Sequence, residues 1–325
     1  MKQSIAILSA TICLLMPVVS SHAALYWTGN RTDWLDGNND AWNTADNLTG
    51  TDTNWNNDGT EVAEINEDAA SVSIDVDGTV NIERMQAFDA NTYTLAEDGG
   101  ELVFDDTGSI GVGQGATLVI NAIIAGAGTS LTKELNDAVE FAHTNNTFSG
   151  QLIHTTGNLT FHSIRDVGEG PSSLGAPTTE ANGTIDLRNA SLIYAGTGDS
   201  TDRKIVLTGG GLLATASGSG NLTFDRTGTV ISGTDVNLRF HPSNASTIRV
   251  DGAISLGHGA LGVDDNGGTV YLSGTNTYGG KTLIKSHEHP SLAFDWIANE
   301  GIPSPLGTNA IVQIGFGSAQ RGTLM

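Results

Sequence analysis

The residues with the clearest potential for chemistry are the histidine of Gly257-His258-Gly259 and the two carboxylates of Asp264-Asp265. Paired carboxylates beside a sugar linkage can protonate the leaving oxygen and activate water, which is the chemistry of glycoside hydrolysis. Glycine and aspartate are so abundant in this sequence that both short matches are expected by chance. We therefore predict no catalytic residue here, and a polysaccharide-active enzyme stays the weakest of three functional hypotheses.

Two further groups could bind a metal ion. His287-Glu288-His289 places two imidazoles on one side of an extended strand, but zinc needs three or four converging ligands and no distant partner is evident. Asp33, Asp36 and Asp40 offer oxygen ligands of the kind calcium prefers. We favour an exposed loop before Pro290 and an Asn/Asp turn cluster for these two groups, and we predict no metal and no cofactor.

Four of the five tryptophans are concentrated near the amino terminus. They are Trp27, Trp34, Trp42 and Trp55, which are spaced among Asn, Asp, Gly and Thr. Such rings could form a carbohydrate-stacking surface, or they could cover the first core edge of a repeat protein. We favour a Trp-rich cap over residues 24–60 and keep a glycan-binding module as the second hypothesis.

Residues 1–23 have the three parts of a secretory signal. Lys2 supplies the positive charge, Ile5 to Met16 the apolar run, and Ser21-His22-Ala23 the small residues before a cut at Ala24. The apolar run is shorter than the roughly 18 residues that span a membrane. Cys13 lies inside this segment, so the mature chain is expected to have no disulfide.

The composition limits the range of partners. The chain has 36 acidic and 14 basic residues and a formal net charge of −22, which argues against binding nucleic acid or an anionic membrane surface. It contains 42 glycines, and 38% of its residues are hydrophobic, which suits a thin core and frequent turns. Cell-surface or extracellular glycans and proteins are the expected partners.

Short alternating segments dominate the mature sequence. Ser71 to Val76, Thr79 to Ile82 and Ala116 to Ile120 are typical, and Gly or Asp-Gly separates most of them. Only Asn81 to Ala90 and Ala293 to Glu300 are candidates for a helical turn. An all-β fold is therefore predicted.

A distinctive turn occurs twice. Thr144 to Gly150 matches Gly274 to Gly280 without a gap. A second marker, Pro171 to Gly175, recurs as Pro303 to Gly307 at nearly the same spacing. A β-sandwich also has alternating strands, but a parallel β-helix accounts better for repetition over this distance. We assign residues 61–325 to the solenoid repeats and expect about a dozen coils in the mature chain, which would form a rod of order 60 Å.

The segment Gly268 to Thr282 closely resembles the autotransporter-associated β-strand repeat, also called the passenger-associated transport repeat. The family motif is G-T-L-x-L-S-G-x-N-T-Y-x-G-x-T, and Thr144 to Gly150 resembles a weaker copy. Gly196 to Ile205 resembles the T-x-R-x-I turn of the same proteins. The start at Trp27-Thr28-Gly29 resembles their usual amino terminus.

This resemblance implies a right-handed parallel β-helix (β-solenoid) that is exported and exposed at the bacterial surface. It further implies a passenger with a structural or adhesive role, in which the motif serves transport and folding. No series of ten-residue amphipathic strands follows Thr282, as a membrane β-barrel would require. We expect a chain truncated within a repeat at Met325, with either a barrel or further repeats beyond it, or a secreted repeat protein without a barrel.

Overall fold

The computed structural model describes residues 24–30, 32–35, 41–45, 47–66, 73–264, 267–285, 289–309, 311–315 and 322–325. Over these residues the chain is almost entirely β-structure, as predicted. The strands of the amino-terminal half are β1 (Ala24–Trp27), β2 (Trp42–Asn43), β3 (Asp52–Thr53), β4 (Val62–Ile65), β5 (Ser73–Val76), β6 (Thr79–Ala87), β7 (Thr92–Glu97), β8 (Glu101–Val112), β9 (Thr117–Ile120), β10 (Ile123–Gly126), β11 (Ser130–Glu134), β12 (Ala138–Phe141), β13 (Gln151–His154) and β14 (Gly157–Phe161).

The remaining strands follow a single helical turn, α1 (Glu180–Gly183). They are β15 (Ile185–Leu187), β16 (Ala190–Tyr194), β17 (Asp199–Thr201), β18 (Ile205–Leu207), β19 (Gly211–Thr215), β20 (Leu222–Phe224), β21 (Thr229–Gly233), β22 (Leu238–His241), β23 (Thr247–Val250), β24 (Ala253–Ser255), β25 (Leu261–Asp264), β26 (Thr269–Leu272), β27 (Thr282–Lys285), β28 (Ser291–Phe294), β29 (Val312–Ile314) and β30 (Thr323–Leu324).

The two segments proposed as helical turns are not helical. Asn81 to Ala90 lies mostly in β6, where alternate side chains are buried, and Ala293 to Glu300 contains the end of β28 and the irregular loop after it. The helical turn forms instead at Glu180–Gly183, where the hydroxyl of Thr179 accepts the N–H of Asn182 as an N-cap.

The strands form three sheets that wind as a solenoid. Within the described residues the first sheet has 13 strands, the second has 11, and the third has 6 and begins at β17. Pairing between the named strands is parallel except for β1 with β2 and β2 with β3, near the amino terminus. The predicted parallel β-solenoid is confirmed, and the 11 strands of the second sheet are close to the expected dozen coils.

Identical inward positions on successive coils build the core. Period-2 alternation turns every second side chain inward, and in-register parallel pairing stacks these side chains along the axis. Val270 and Leu272, which alternate with Thr269 and Tyr271 in β26, are both fully buried. The longest inward column of the second sheet contains Tyr93, Leu118, Val139, Leu159, Leu192, Leu213, Phe240, Val263 and Ile284.

The two copies of the repeated turn occupy different faces of the solenoid. The first copy leads into β13, which pairs with β11 and β15 in the first sheet. The second copy leads into β27, which pairs with β25 and β29 in the second sheet. The turn is therefore a local device that works on either face, and the spacing between the two copies is not a whole number of coils.

Candidate functional site

The four amino-terminal tryptophans form one buried cluster. Trp27, Trp34 and Trp42 are fully buried and Trp55 is 7% exposed. Ring centroids lie 4.8 Å apart for Trp34–Trp42 and for Trp42–Trp55. Because the rings cover one another, these residues offer no open aromatic face to a sugar, and the carbohydrate-stacking hypothesis is wrong for them.

The cluster is anchored to the first coils. The indole N–H of Trp42 donates to the carbonyl of Trp34 at 3.2 Å, and that of Trp55 donates to the carbonyl of Asn81 in β6 at 3.1 Å. Trp27 ends β1, which pairs with β4 of the first sheet. The aromatic residues therefore cover the end of the core, as a cap must.

The histidine and carboxylate that suggested hydrolysis belong to separate pairs. The ring of His258 is exposed, and its Nδ1 lies 2.9 Å from the carboxylate of Asp235. Asp264 is 4% exposed, and its carboxylate accepts Nε and Nη2 of Arg239 at 2.9 and 2.7 Å. Asp265 lies outside the described residues. The side chain of Asp264 is thus neutralised by an ion pair with two hydrogen bonds and is not presented to a substrate.

The proposed metal ligands are only partly described. His287, Glu288, Asp36 and Asp40 lie outside the described residues, while Asp33 forms a parallel bridge with Asp75. Among the residues that the structure describes, no group of three or more His, Cys, Asp and Glu side chains could hold a metal ion. The expectation of no metal at these positions stays a prediction.

The most elaborate polar arrangement lies at the repeated turn. Asn146 is fully buried; its Oδ1 accepts the N–H of Ile124 at 2.9 Å, and its Nδ2 donates to the carbonyl of Ser173 at 2.9 Å. These partners lie 22 residues before and 27 residues after it. One amide side chain therefore joins three successive levels of the solenoid.

The second copy reproduces this geometry. Asn276 is 1% exposed; it accepts the N–H of Ile254 at 2.7 Å and donates to the carbonyl of Pro305 at 2.6 Å. Each asparagine also forms an isolated antiparallel bridge, Asn146 with Ser172 and Asn276 with Ser304. The asparagine of the motif is thus a structural clamp, whose amide satisfies buried backbone groups on both sides.

The second marker packs against the aromatic residue of the repeated turn: Gly175 lies against Phe148, and Gly307 lies against Tyr278. Phe148 and Tyr278 are fully buried. Gly175 and Gly307 have φ of 78° and 76°, and a Cβ on either would lie 2.3 or 2.5 Å from the carbonyl oxygen of that aromatic residue. Only glycine fits this backbone conformation and this close approach. The two markers found in the sequence are therefore two halves of one device.

The arginine of the T-x-R-x-I turn reaches the same device. Arg203 is 2% exposed, and its guanidinium donates to the carbonyls of Leu174 and Gly175 at 2.6 and 3.2 Å. Burial lowers the pKa of Arg203 to about 10, against the opposing effect of Asp202 and Asp166. The group remains charged at neutral pH and serves as an internal link between coils.

A second buried cation lies in the first sheet. Nζ of Lys133 donates to the carbonyls of Leu135, Asp137 and Thr156 at 2.6–2.7 Å. Burial lowers the pKa of Lys133 to about 8, and the nearby Asp137 opposes that change. Inward alternation with Leu131 could have indicated its position in the sequence, although it gives no indication of the three carbonyl partners.

The fold and the clamp define a class of protein, a parallel β-solenoid whose repeated turns join successive coils. No family model and no solved structure matches the chain. The chain is 30% identical over 259 residues to the Adhesin BmaC autotransporter of Brucella suis biovar 1 (strain 1330). The match covers 71% of this chain and 7% of the relative, so the chain spans a small part of that protein's length. The similarity and the solenoid together confirm the predicted resemblance to autotransporter passengers.

None of the helices within the described ranges has the length and apolar character needed to cross a bilayer.

Proposed function

We propose that the chain is part of an exported, surface-exposed passenger with a structural and adhesive role and no enzymatic activity. The observation that carries this proposal is how the buried polar groups are used. Four buried polar side chains form hydrogen bonds with backbone groups of other turns of the chain; they belong to Asn146, Asn276, Arg203 and Lys133. The groups best suited to chemistry therefore stabilise the stacking of coils.

The regular outer surface supports an adhesive role. One outward position of the second sheet is occupied on successive coils by Thr94, Val119, Glu140, Thr160 and Ile193. Parallel strands place such side chains about 4.8 Å apart along the axis. A surface of this kind can contact an extended glycan or a protein through many weak interactions, and the similarity to a protein described as an adhesin favours this use.

Export follows from the amino-terminal segment 1–23, which lies outside the described part. We propose that this segment directs the chain across the inner membrane and is removed before Ala24. Expression of the whole chain in a bacterial host should yield an exported product whose first residue, found by mass spectrometry, is Ala24. A cytoplasmic product that keeps Met1 would overturn this step.

The adhesive role is tested with purified protein spanning positions 24–325. The protein is applied to immobilised extracellular-matrix proteins and to a printed glycan array, and the same preparation is assayed for new reducing ends on acidic polysaccharides. We expect saturable binding to at least one surface and no product. Absence of binding would overturn the adhesive role, and product formation would favour the enzyme alternative.

A glycan ligand remains the second candidate. The acidic mature chain favours neutral or basic glycans over polyanions. Glycan binding would have to use the outer strand surface, because the aromatic rings of the cap are buried. Emission of the buried tryptophans should therefore stay unchanged when a glycan binds.

A further inference from the structure

The third sheet has an open edge well inside the chain. Its first strand, β17, pairs with β20 on one side, and no strand of the described ranges pairs with it on the other. On the paired side the N–H of Asp199 donates to the carbonyl of Asn221 at 3.0 Å. The carbonyl of Thr201 accepts the N–H of Asp225, also at 3.0 Å. Successive residues of a strand direct their N–H and C=O groups to opposite sides, so both groups of Ser200 point to the open edge.

The preceding coil meets this edge through side chains. Asp199 accepts the N–H of Ile164 at 3.2 Å. The hydroxyl of Thr201 donates to the carbonyl of Arg165 at 3.1 Å. A side chain that bridges two backbones holds them farther apart than the spacing of about 4.8 Å in a paired ladder. The N–H and C=O of Ser200, between these two bridges, therefore face a gap, and no hydrogen-bond partner for them occurs among the described residues.

A cavity of about 320 Å³ lies at this gap. Its lining includes Ser163, Ile164, Asp166, Glu169, Gly198 and Ser200. Glu169 and Ser200 are exposed, so the cavity opens on the outer surface. Pockets that bind small molecules begin at about 300 Å³, and the cavity is therefore large enough for one small ligand.

The free groups at the gap suit a small ligand and not a peptide strand. A strand that adds to a sheet edge needs a row of unpaired N–H and C=O groups. Here the bridges at Asp199 and Thr201, about 7 Å apart along an extended strand, close the row on both sides of Ser200. One donor and one acceptor remain side by side. Two neighbouring hydroxyls of a sugar match this pair, because one hydroxyl can accept a hydrogen bond while the next donates one.

The charge of the lining selects among sugars. The lining contains one cation, that of Arg165, and the carboxylates of Asp166, Glu169 and Asp199. Carboxylates accept hydrogen bonds from hydroxyl groups, and hydrogen bonds with a charged partner are the stronger ones. The same carboxylates repel a uronic or sialic acid. A neutral sugar is therefore the complementary ligand.

We propose that this cavity, formed by residues 163–166, 169 and 198–200, binds one neutral hexose residue of a glycan through two neighbouring hydroxyl groups. One hydroxyl accepts the N–H of Ser200 and the other donates to its carbonyl, while the carboxylates of Asp166 and Glu169 accept further hydroxyls. The proposal rests on the glycan-binding candidate above and gives that candidate a position and a class of sugar.

Hydrogen exchange at Ser200 is the direct readout in the protein spanning positions 24–325. Without ligand, the N–H of Ser200 should exchange much faster than that of Thr201, which points toward β20. The probes are the methyl glycosides of glucose, galactose and mannose, each compared with the methyl glycoside of its uronic acid. We expect saturable binding of at least one neutral glycoside. At about ten times its dissociation constant this glycoside should slow exchange at Ser200 about tenfold, because only the free protein exchanges there. The uronic acid should bind several-fold more weakly.

Two substitutions at one position separate the backbone from the side chain. Ser200→Pro removes the N–H donor and costs no ladder bond, since proline is tolerated where the N–H of a strand faces an open edge. It should weaken sugar binding about tenfold. Ser200→Ala is the matched control, because it keeps both backbone groups. It should retain binding within a few-fold and the slowed exchange at position 200.

Saturable binding that leaves exchange at Ser200 unchanged would overturn this site but not the adhesive role. Equal binding of a neutral glycoside and its uronic acid would also overturn it, and so would tighter binding of glucosamine, which would show only an acidic surface that attracts cations. Binding of none of the three glycosides at millimolar concentration would overturn the site as well. The adhesive role fails only if the matrix proteins and the glycan array are also negative. The comparison of sugars leaves the protein unaltered, so it decides the matter even if the proline variant folds poorly.

Discussion

His154 lies directly beside Lys133 on the neighbouring strands β13 and β11, and both side chains point into the core. The histidine Nε2 lies 3.0 Å from the carbonyl oxygen of Ser191. Because a carbonyl only accepts, Nε2 must carry the proton. The two residues form a buried polar pair within a column of inward-facing side chains. The column continues with Ile110 on one side and Leu187 on the other. We expect this buried polar pair to make the solenoid sensitive to acid.

The first prediction is a loss of stability at low pH that depends on His154. Burial, helped by the charge of Lys133, lowers the pKa of His154 from 6.5 to about 3. Between these values the unfolded chain binds a proton that the folded chain does not, so the free energy of unfolding falls as the pH falls. This single group should contribute a slope of up to about 1.4 kcal/mol per pH unit.

Chemical denaturation between pH 6.5 and 4 measures this slope. His154→Gln keeps a donor but cannot titrate, so its free energy of unfolding should depend less on pH than that of the unaltered protein. His258→Gln is the control because the side chain of His258 is 92% exposed. Equal slopes for the unaltered protein and the His154 variant would refute the assignment.

The second prediction concerns the asparagine clamp. Asn146→Ala leaves the N–H of Ile124 and the carbonyl of Ser173 buried without this partner. Each unsatisfied group costs about 1–3 kcal/mol, so for the two groups we expect about 2–6 kcal/mol less stability in the coils on either side. Amide hydrogen exchange at Ile124 measures this effect locally.

A matched control for the clamp is the preceding residue. Asn145 is exposed, and Asn145→Ala leaves the clamp intact. It should change the free energy of unfolding by less than about 0.5 kcal/mol. Comparable losses from the two variants would show that Asn146 does not clamp the coils.

Strand alternation and the repeated turn can be predicted from the sequence, but the role of the turn cannot. Val270 and Leu272 are predictable core residues because alternation is a local pattern. The partners of Asn276 are 22 and 29 residues away, and such contacts depend on the length of each coil. The chain winds so that the two turns meet different sheets, and an alignment of the two copies contains no sign of that rotation.

The role of the tryptophans could not be predicted from the sequence for a different reason. A stacking surface and a cap use the same residue types at the same spacing, so Trp34 and Trp42 are compatible with both hypotheses. Only their mutual packing at 4.8 Å, which requires the whole cap to fold, decides between them. For Arg203 the resemblance identified the turn, but its buried contacts with the second marker join parts of the chain 28 and 29 residues apart.

The third prediction is that one of the five tryptophans is accessible. Trp296 is 41% exposed, and the other four are between 0 and 7% exposed. Quenching by acrylamide should therefore show a small accessible fraction and a large protected one. Trp296→Phe should remove the accessible fraction and leave the rest unchanged, whereas ready quenching of the remaining four rings would contradict the buried cap.

The fourth prediction concerns the buried guanidinium. Arg203→Met keeps much of the side-chain volume but leaves the carbonyls of Leu174 and Gly175 without their charged donor. We expect a loss of about 2–4 kcal/mol, because hydrogen bonds from charged groups are worth more than neutral ones. The stability of Arg203→Lys should lie between that of the unaltered protein and that of Arg203→Met, since an ammonium cannot reproduce the planar fork of the guanidinium.

Equilibrium denaturation, together with hydrogen exchange at Ala176, measures the loss. The N–H of Ala176 donates to the carbonyl of Phe148 at 2.8 Å, beside the arginine contact, so it reports whether the marker still closes over the aromatic ring. Arg84→Met is the matched control, because Arg84 pairs with Glu134 and the two side chains are 42% and 26% exposed. An exposed pair is worth at most about 1 kcal/mol. If both variants lost the same small amount and Ala176 stayed protected, Arg203 would not be the link between the two markers.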